Sequence, residues 1–443
     1  MAKKPSRVPL NVYLNGRLVG RLQKETSGAI DFRYDPSWLD WEHTLPVSLS
    51  LPLREDRYIG DPVIAVFDNL LPDSETIRKN LAARVKATGN DAYSLLSAIG
   101  RDCVGALQFL PEGDDPAPPG TISGHPASDK EIGHLLQNLS SAPLGADEDA
   151  EFRISLAGAQ EKTALLYWKN QWQLPKGTTA TTHILKPQIG MLGNGIDLTK
   201  SVENEHFCMR LMSELGLPTA GTAIQDFDGH RVLVVERFDR RWTKDKRLIR
   251  LPQEDLCQAL SVPPTRKYQS DGGPGILEVL NLLKGSDDPE TDQKRFIKAQ
   301  VIFWLIGATD GHAKNFSLFL TPGGRFNLAP IYDVMSAQPN LDADQILRKE
   351  MKLAVFVGDN RHYIIEQILP RHFQQTAKKG GVAEAMVNDI LVELCEDMPK
   401  AFEKTIAAMP SDFPEDMMES VRSAALSRLR TIDDAATVGE RTS

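Results

Sequence analysis

The chain has 443 residues, 41% of them hydrophobic and 25% charged, a composition of globular type with length enough for two or three domains around sizeable cores. With 60 acidic against 51 basic residues the net charge is −9, which excludes a protein whose whole surface serves nucleic acid and confines any DNA contact to a local patch or a shared assembly. Cys103, Cys208, Cys257 and Cys395 make no CxxC pair, which excludes a disulfide scaffold or cysteine zinc site and fits a reducing cytoplasm, while MAKKPSRVPLNVYL lacks a signal-peptide core and no apolar run approaches the ~20 residues of a membrane helix.

In chain order, Val12-Tyr13-Leu14 and Leu18-Val19 flank Asn15-Gly16, which predicts a tight β-hairpin, and the alternation in PVSLSLPL (Pro46–Leu53) predicts another strand. VIAVFDNLLPDSETIRKNLAARV and DAYSLLSAIGRDCVGALQFL carry apolar residues at helical spacing, with Pro72-Asp73-Ser74 as a cap and start signal. These make residues 1–110 a β-rich amino-terminal domain with helices. Residues 111–150, rich in Pro, Gly and acidic side chains, form a connecting region. EFRISLAG, KTALLYW, THILKP and RVLVVERFD are strand-like, and SVENEHFCMRLMSELGL (Ser201–Leu217) between them is a helix ending at Gly216, so 151–245 is a mixed α/β part. From 246 to 443 the pattern is helical: TDQKRFIKAQVIFWLIGA, HYIIEQILPRHFQQTAKK, VAEAMVNDILVELCEDMPKAFEKTIAAM and DMMESVRSAALSRLRTI.

The chemistry concentrates in IGATDGHAKNFSLF (Ile306–Phe319), where an apolar run breaks into a polar loop. Phosphoryl transfer from ATP needs a carboxylate base for the acceptor hydroxyl, oxygen ligands for the metal and a cation for the triphosphate. In the protein-kinase pattern the base Asp precedes a metal-binding Asn by five residues, a second metal-binding Asp follows about twenty later, and a Lys and a helix Glu come earlier. Asp310 and Asn315 have that separation, and Asp333 in PIYDVMS follows twenty-three residues after Asp310. Lys186 ends a strand-like run, with Glu205 or Glu203 in the helix after it. His312 and Lys314 can donate to phosphates. Taken singly, Asp310-Gly311 reads equally as a turn, Asp333 as a strand-end cap and Lys186 as a snorkelling surface residue. The ordered set is what points to a kinase.

The phosphate-loop candidate is SLAGAQEKTAL (Ser155–Leu165), where Ala157, Gly158 and Ala159 let backbone N–H groups approach phosphates and Gln160 and Lys162 add donors. It lacks both GxGxxG and the Walker pattern, and the same residues also suit a plain hairpin turn. VVERFD (Val234–Asp239) lies where a kinase hinge presents backbone groups to adenine, or is an ordinary strand with an exposed Glu236.

The sequence closely resembles the HipA family, the serine/threonine-protein kinase toxins of bacterial HipA–HipB toxin–antitoxin modules. The resemblance runs over nearly the whole chain, through FDNLLPDS, IGRDCVGAL, FRISLAGAQEKTALL, THILKP, VERFDRRW, RLPQEDLCQ, KYQSDGGPGI, WLIGATDGHAKNFS and IYDV. It implies an α+β fold, kinase-like and bilobal, with a β-rich amino-terminal domain and a largely helical catalytic lobe. It implies ATP and Mg²⁺ as cofactors, Asp310 as catalytic base, and Asn315 and Asp333 as metal ligands. Lys186 would bind ATP phosphate and Ala157, Gly158, Ala159, Gln160, Glu161 and Lys162 would form the phosphate loop. Glu236, Arg237 and Phe238 would line the adenine site, and His312 and Tyr332 would complete the nucleotide pocket. Ser155 would be an autophosphorylated serine that switches the kinase off, since a phosphate there adds nearly two negative charges to a loop built for those of ATP.

The resemblance also implies glutamyl-tRNA synthetase as protein substrate, a helix-turn-helix HipB antitoxin as partner, operator DNA bound through that complex, and a cytoplasmic, nucleoid-associated location. In PRHFQQTAKKGG (Pro370–Gly381), Arg371, Lys378 and Lys379 form a local basic stretch suited to phosphate contact, or equally a solvated helix end. Two further readings share these residues: a kinase for a small-molecule hydroxyl and a non-catalytic co-repressor.

Overall fold

A computed structural model describes residues 8–139, 156–158 and 160–440. Ser155, Ala159 and most of the expected EFRISLAG strand lie outside the described residues. The architecture is α+β, as predicted. The chain forms two compact units from interleaved stretches: Met1–Pro187, Gln225–Thr265 and Leu318–Phe326 in the first, and Gln188–Ile224, Arg266–Ser317 and Asn327–Ser443 in the second.

The first unit opens with the expected hairpin. Strands Leu10–Leu14 and Arg17–Lys24 pair antiparallel around Asn15 (φ 45°) and Gly16 (φ 80°), the left-handed pair such a two-residue turn requires. A five-stranded sheet runs in the order Tyr58–Ile59, Ile30–Tyr34, Arg17–Lys24, Leu10–Leu14, Leu107–Pro111. Its apolar face is closed by helix Asp61–Phe67, whose Phe67 ring lies 5.4 Å from Phe32 and 5.6 Å from Phe109.

Three expectations are corrected here. Pro46–Leu53 is not a strand but a turn-rich segment tied by Leu49 N–H to Glu254 Oε1 (2.9 Å) and by Ser50 Oγ to the Gln258 carbonyl (2.7 Å). The helical run after Val63 breaks into Asp61–Phe67 and Glu75–Arg84, because Pro72 interrupts it and Ser74 caps the new start. Asp91 caps helix Ala92–Ile99, but the remainder of that run turns at Gly100 and Gly105 and finishes as strand Leu107–Pro111.

A six-stranded sheet has His230–Glu236, His183–Pro187, Thr163–Trp168, Gln171–Pro175 and Gly124–Pro126 as successive neighbours. Helix Asp129–Gln137, started by a Ser128–Glu131 capping box, packs Ile132 and Leu136 against Leu165, Leu185, Val232 and Val234. The same unit holds a buried ion network. Asp102 receives Arg237, Arg240 and Arg250 at 3.3, 2.9 and 2.7 Å, and Asp239 receives Arg237 and Arg240 at 2.7 and 2.9 Å. Thr181 Oγ donates to Asp102 (2.8 Å), Gly105 N–H to Asp239 (2.7 Å), and the Cys103 carbonyl accepts from two of the guanidiniums. IGRDCVGAL thus converges on one cluster with VERFDRRW and RLPQEDLCQ, two motifs that lie far from it in the sequence.

The second unit is largely helical, built on Pro289–Ile306. Asp288 caps that helix, Pro289 occupies its first turn, and its second half is buried from Phe296 through Ile306. Lys298 on it pairs with Glu393 at 2.7 Å on helix Glu384–Ala407, and Arg428 of helix Glu415–Glu440 donates to the Leu305 carbonyl at 2.7 Å. Helix Ser201–Glu214 forms as expected, with Gly216 left-handed (φ 81°) just beyond its end. The run from His362 is α-helical only from Pro370: His362–Ile364 is a strand, Ile365–Gln367 a 3₁₀ turn, and Pro370 begins helix Pro370–Lys379. Among the described residues no helix is long and apolar enough to cross a membrane.

Candidate active site

The polar loop begins where helix Pro289–Ile306 stops. Gly307 adopts φ 71°, and Ala308 N–H reaches back to the Phe303 carbonyl at 2.8 Å, closing the helix and turning the chain outward. Gly311 is required next, since a Cβ there would stand 2.5 Å from the Phe303 ring. His312 N–H donates to the Asp310 carbonyl and Asn315 N–H to the His312 carbonyl, both at 2.9 Å, winding Ala313–Asn315 into a 3₁₀ turn. That turn brings the Asn315 amide back onto the Asp310 carbonyl at 2.7 Å. The five-residue spacing is therefore one closed loop in which Asn315 Nδ2 braces the Asp310 segment and Oδ1 remains its acceptor atom. The Asp310 side chain is 57% exposed, whereas His312, Lys314 and Asn315 are buried.

Tyr332 and Asp333 belong to the same site. Tyr332 donates its hydroxyl to the Lys314 carbonyl (2.7 Å) and shares a 2.7 Å hydrogen bond with Ser317 Oγ. This clamps the segment carrying Asp333 to the end of the Asp310 loop. Ile331, two residues before Asp333, accepts from Ala220 N–H at 2.9 Å and bridges to Thr219. Ser336, three residues after it, exchanges hydrogen bonds with Asn204 at 2.9 and 2.8 Å and donates to the Ile306 carbonyl at 2.5 Å. Between these anchors Asp333 adopts φ 62°, a left-handed backbone uncommon outside glycine. Strain held by anchors on both sides is a feature of functional positions.

His312 feels the charges of both carboxylates. Burial pushes its imidazole below the ordinary value, the Asp310 and Asp333 charges oppose that shift, and Lys267 adds to it. Its Nε2 is 3.6 Å from Asp310 Oδ1, and its buried Nδ1 has no hydrogen-bond partner among the described residues. An imidazole with one nitrogen beside Asp310 and the other buried without a partner is equipped to meet a polar ligand.

The other expected nucleotide residues are in the first unit. Gly158 has φ 110°; its carbonyl accepts from Asp73 N–H at 3.1 Å, and it bridges to Pro72. FDNLLPDS is therefore what holds this part of the candidate phosphate loop. Lys162 Nζ would stand 2.6 Å from a Cβ added to Gly158, so its ammonium sits on that loop. Gln160 donates to the Pro187 carbonyl at 3.0 Å, tying the loop to the end of strand His183–Pro187, on which Lys186 is buried opposite Leu233. Burial raises the Glu161 carboxyl. Ala157 is half-buried, Glu236 ends its strand exposed, and Phe238 packs edge-on against Phe319 at 5.8 Å.

The Arg237 guanidinium is buried and occupied by Asp239, Asp102, Thr181 and the Cys103 carbonyl, which leaves its backbone for the hinge role expected of this segment. Of the basic stretch, Lys378 and Lys379 are exposed but pair with Glu384 (3.0 Å) and Asp359 (2.7 Å), and Arg371 is exposed.

The residues fit a Mg–nucleotide site by their chemistry. Asp333 and Asn315 offer hard oxygen donors, and Mg²⁺ bound with a triphosphate needs only one or two carboxylates, the phosphates and water supplying the rest. Among the described residues there is no group of three or more His, Cys, Asp or Glu that would hold a metal unaided. One residue escapes a reading of the sequence alone: Tyr268, within KYQSDGGPGI, donates its hydroxyl to Asp310 Oδ1. Nothing in the spacing of that segment announces it, because the contact joins positions 42 residues apart.

Known proteins resemble this chain over most of its length. The HipA N-terminal domain matches residues 10–110 and the HipA-like C-terminal domain residues 154–402. Protein Y4mE of Sinorhizobium fredii is 35% identical over 405 residues, covering 90% of this chain and 91% of Y4mE. The serine/threonine-protein kinase toxin HipA of Shewanella oneidensis is 28% identical over 414 residues, 90% of each chain. A solved structure of the Shewanella oneidensis MR-1 toxin–antitoxin system HipA, HipB and its operator DNA complex matches the fold with TM-score 0.79 at 24% identity, covering 96% of this chain and 97% of that one.

Proposed function

Since the chain belongs to the HipA family of kinases, we propose that it transfers the γ-phosphoryl group of ATP to a protein serine or threonine as the toxin of a toxin–antitoxin module. The observation that carries this reading is the closed Asp310–Asn315 loop clamped through Tyr332 to the left-handed Asp333. Asp310 accepts the proton of the acceptor hydroxyl. Asn315 Oδ1 and the Asp333 carboxylate hold Mg²⁺, which when bound neutralises developing phosphate charge. His312 and Lys314 line the nucleotide beside them. Gly158, Ala159, Gln160 and Lys162 cradle phosphate, Lys186 supplies a cation to it, and Glu236 and Phe238 contribute to the adenine end. Family resemblance supports glutamyl-tRNA synthetase as the acceptor and Ser155 as an autophosphorylated off-switch.

Intact-mass measurement of dephosphorylated protein with Mg-ATP tests the proposal, with glutamyl-tRNA synthetase added in a parallel sample. Wild type gains one phosphate and labels the synthetase; Asp310→Gln does neither; Ser155→Ala labels the synthetase without gaining its own phosphate. Equal labelling by wild type and Asp310→Gln would remove Asp310 as the base. Nucleotide turnover with no labelled protein would point to a small-molecule acceptor.

We further propose that a HipB-type antitoxin carries the protein to operator DNA in the cytoplasm, where Arg371, Lys378 and Lys379 touch phosphate. The acidic partners of the two lysines are exposed, and such pairs are weak enough to exchange for DNA. Replacing both lysines by Gln should flatten the slope of log K against log salt for the complex by about 0.9 for each DNA phosphate a lysine neutralises. An unchanged slope would remove them from the interface.

A further inference from the structure

Tyr268 donates its phenol hydroxyl to Asp310 Oδ1, a charge-assisted hydrogen bond to the one exposed carboxylate of the loop. From this contact we infer that Tyr268 is a positioning residue that sets the orientation of the Asp310 carboxylate toward the acceptor hydroxyl. The inference rests on the reading of Asp310 as the base.

An aspartate carboxyl turns easily about its last torsion, which is broad and roughly two-fold. The Asn315 amide fixes only the Asp310 backbone, through its carbonyl. Binding Oδ1 removes the remaining freedom and dedicates Oδ2 to the proton it must receive. General-base catalysis depends on that geometry before it depends on basicity.

The phenol is itself held. Its ring meets the buried His312 edge-on at 4.8 Å, with an interplanar angle of 83°. The turn after it is built from glycine. Asp271 and Gly273 N–H groups both donate to the Tyr268 carbonyl, at 3.1 and 2.9 Å, and Gly272 adopts φ 85°. A Cβ on Gly273 would stand 2.1 Å from the Arg266 carbonyl and 2.7 Å from that of Tyr268. Gln269 then anchors the turn by accepting from Phe356 N–H at 2.8 Å in strand Lys352–Val357. KYQSDGGPGI is thus a hydrogen-bonded bracket from which the Tyr268 hydroxyl reaches Asp310 and Lys267 adds its charge near His312. A bracket of this kind suits a fixed part of the catalytic geometry better than a moving cover.

The test compares wild type, Tyr268→Phe and Asp310→Asn in the full-length dephosphorylated protein. The readings are the first-order rate of phosphate gain at saturating Mg-ATP and the ATP concentration giving half that rate. Tyr268→Phe keeps the ring and its packing on His312 and loses only the hydroxyl. It should slow the saturated rate about ten- to hundred-fold and leave the half-saturating ATP concentration within about two-fold. A structural role alone would move both quantities or neither. If Asp310→Asn is inactive while Tyr268→Phe keeps or exceeds the wild-type rate, the positioning role is wrong and the base assignment stands. If Asp310→Asn keeps the wild-type rate, both fall together.

Discussion

Asp102→Ala is expected to destabilise the first unit by on the order of 3–5 kcal/mol, enough to unfold much of it at 37 °C. Asp102 is buried and is the only described carboxylate shared by Arg237, Arg240 and Arg250. Burial alone would raise its carboxyl; the three guanidiniums and the Thr181 hydroxyl more than reverse this and hold it well below the usual carboxylate range. Without Asp102, Arg237 and Arg240 keep Asp239 while Arg250 loses its described carboxylate, and burial combined with the neighbouring guanidinium already brings Arg240 down to about 10. A depressed folded value means that the stabilisation is fully present above the unfolded value of about 3.9 and is lost as pH falls through and below it. Urea unfolding of wild type and Asp102→Asn between pH 3 and pH 7 should therefore show a stability gap that is constant above about pH 5 and begins to narrow toward pH 3 without closing there. A wild-type-like midpoint for Asp102→Ala at pH 7 would mean that the network is structurally dispensable.

What the sequence makes legible divides along the distance between partners. The Asn15-Gly16 hairpin, the Ser74 cap and the helix ending near Gly216 are signalled within a few residues, and each forms where the local chemistry places it. The Asp310–Asn315 loop is readable for the same reason: one five-residue closure holds both groups. The place of the Arg237 side chain is not legible in the sequence, because its partner Asp102 lies 135 residues away and no local pattern announces that burial. The run after Asp91 shows helical periodicity throughout, yet Gly100 and Gly105 break it and the sheet recruits Leu107–Pro111, so tertiary pairing outweighs propensity. Tyr268 and the left-handed backbone of Asp333 become visible only with coordinates, since both are imposed by anchors remote in sequence.

Asp333→Asn is expected to lower the rate of phosphoryl transfer on the order of 10²–10³-fold while leaving the fold intact. The two halves of that expectation have separate causes. Asn tolerates a left-handed backbone nearly as well as Asp, so φ 62° is retained and the anchors at Ile331 and Ser336 are undisturbed. What disappears is the negative charge, and a neutral amide is a poor ligand for a hard dication that gives up its water reluctantly. The loss should therefore be partly recovered by raising the Mg²⁺ concentration, whereas the lower rate of Tyr268→Phe should not respond to Mg²⁺. Asp333→Leu is the informative contrast. It removes the charge and also places a bulky side chain on the left-handed backbone, so it should lower the melting temperature as well as the rate. If Asp333→Asn were active at ordinary Mg²⁺ while Asp333→Leu were not, the residue would serve the backbone conformation of its segment, and the metal would have to be held elsewhere.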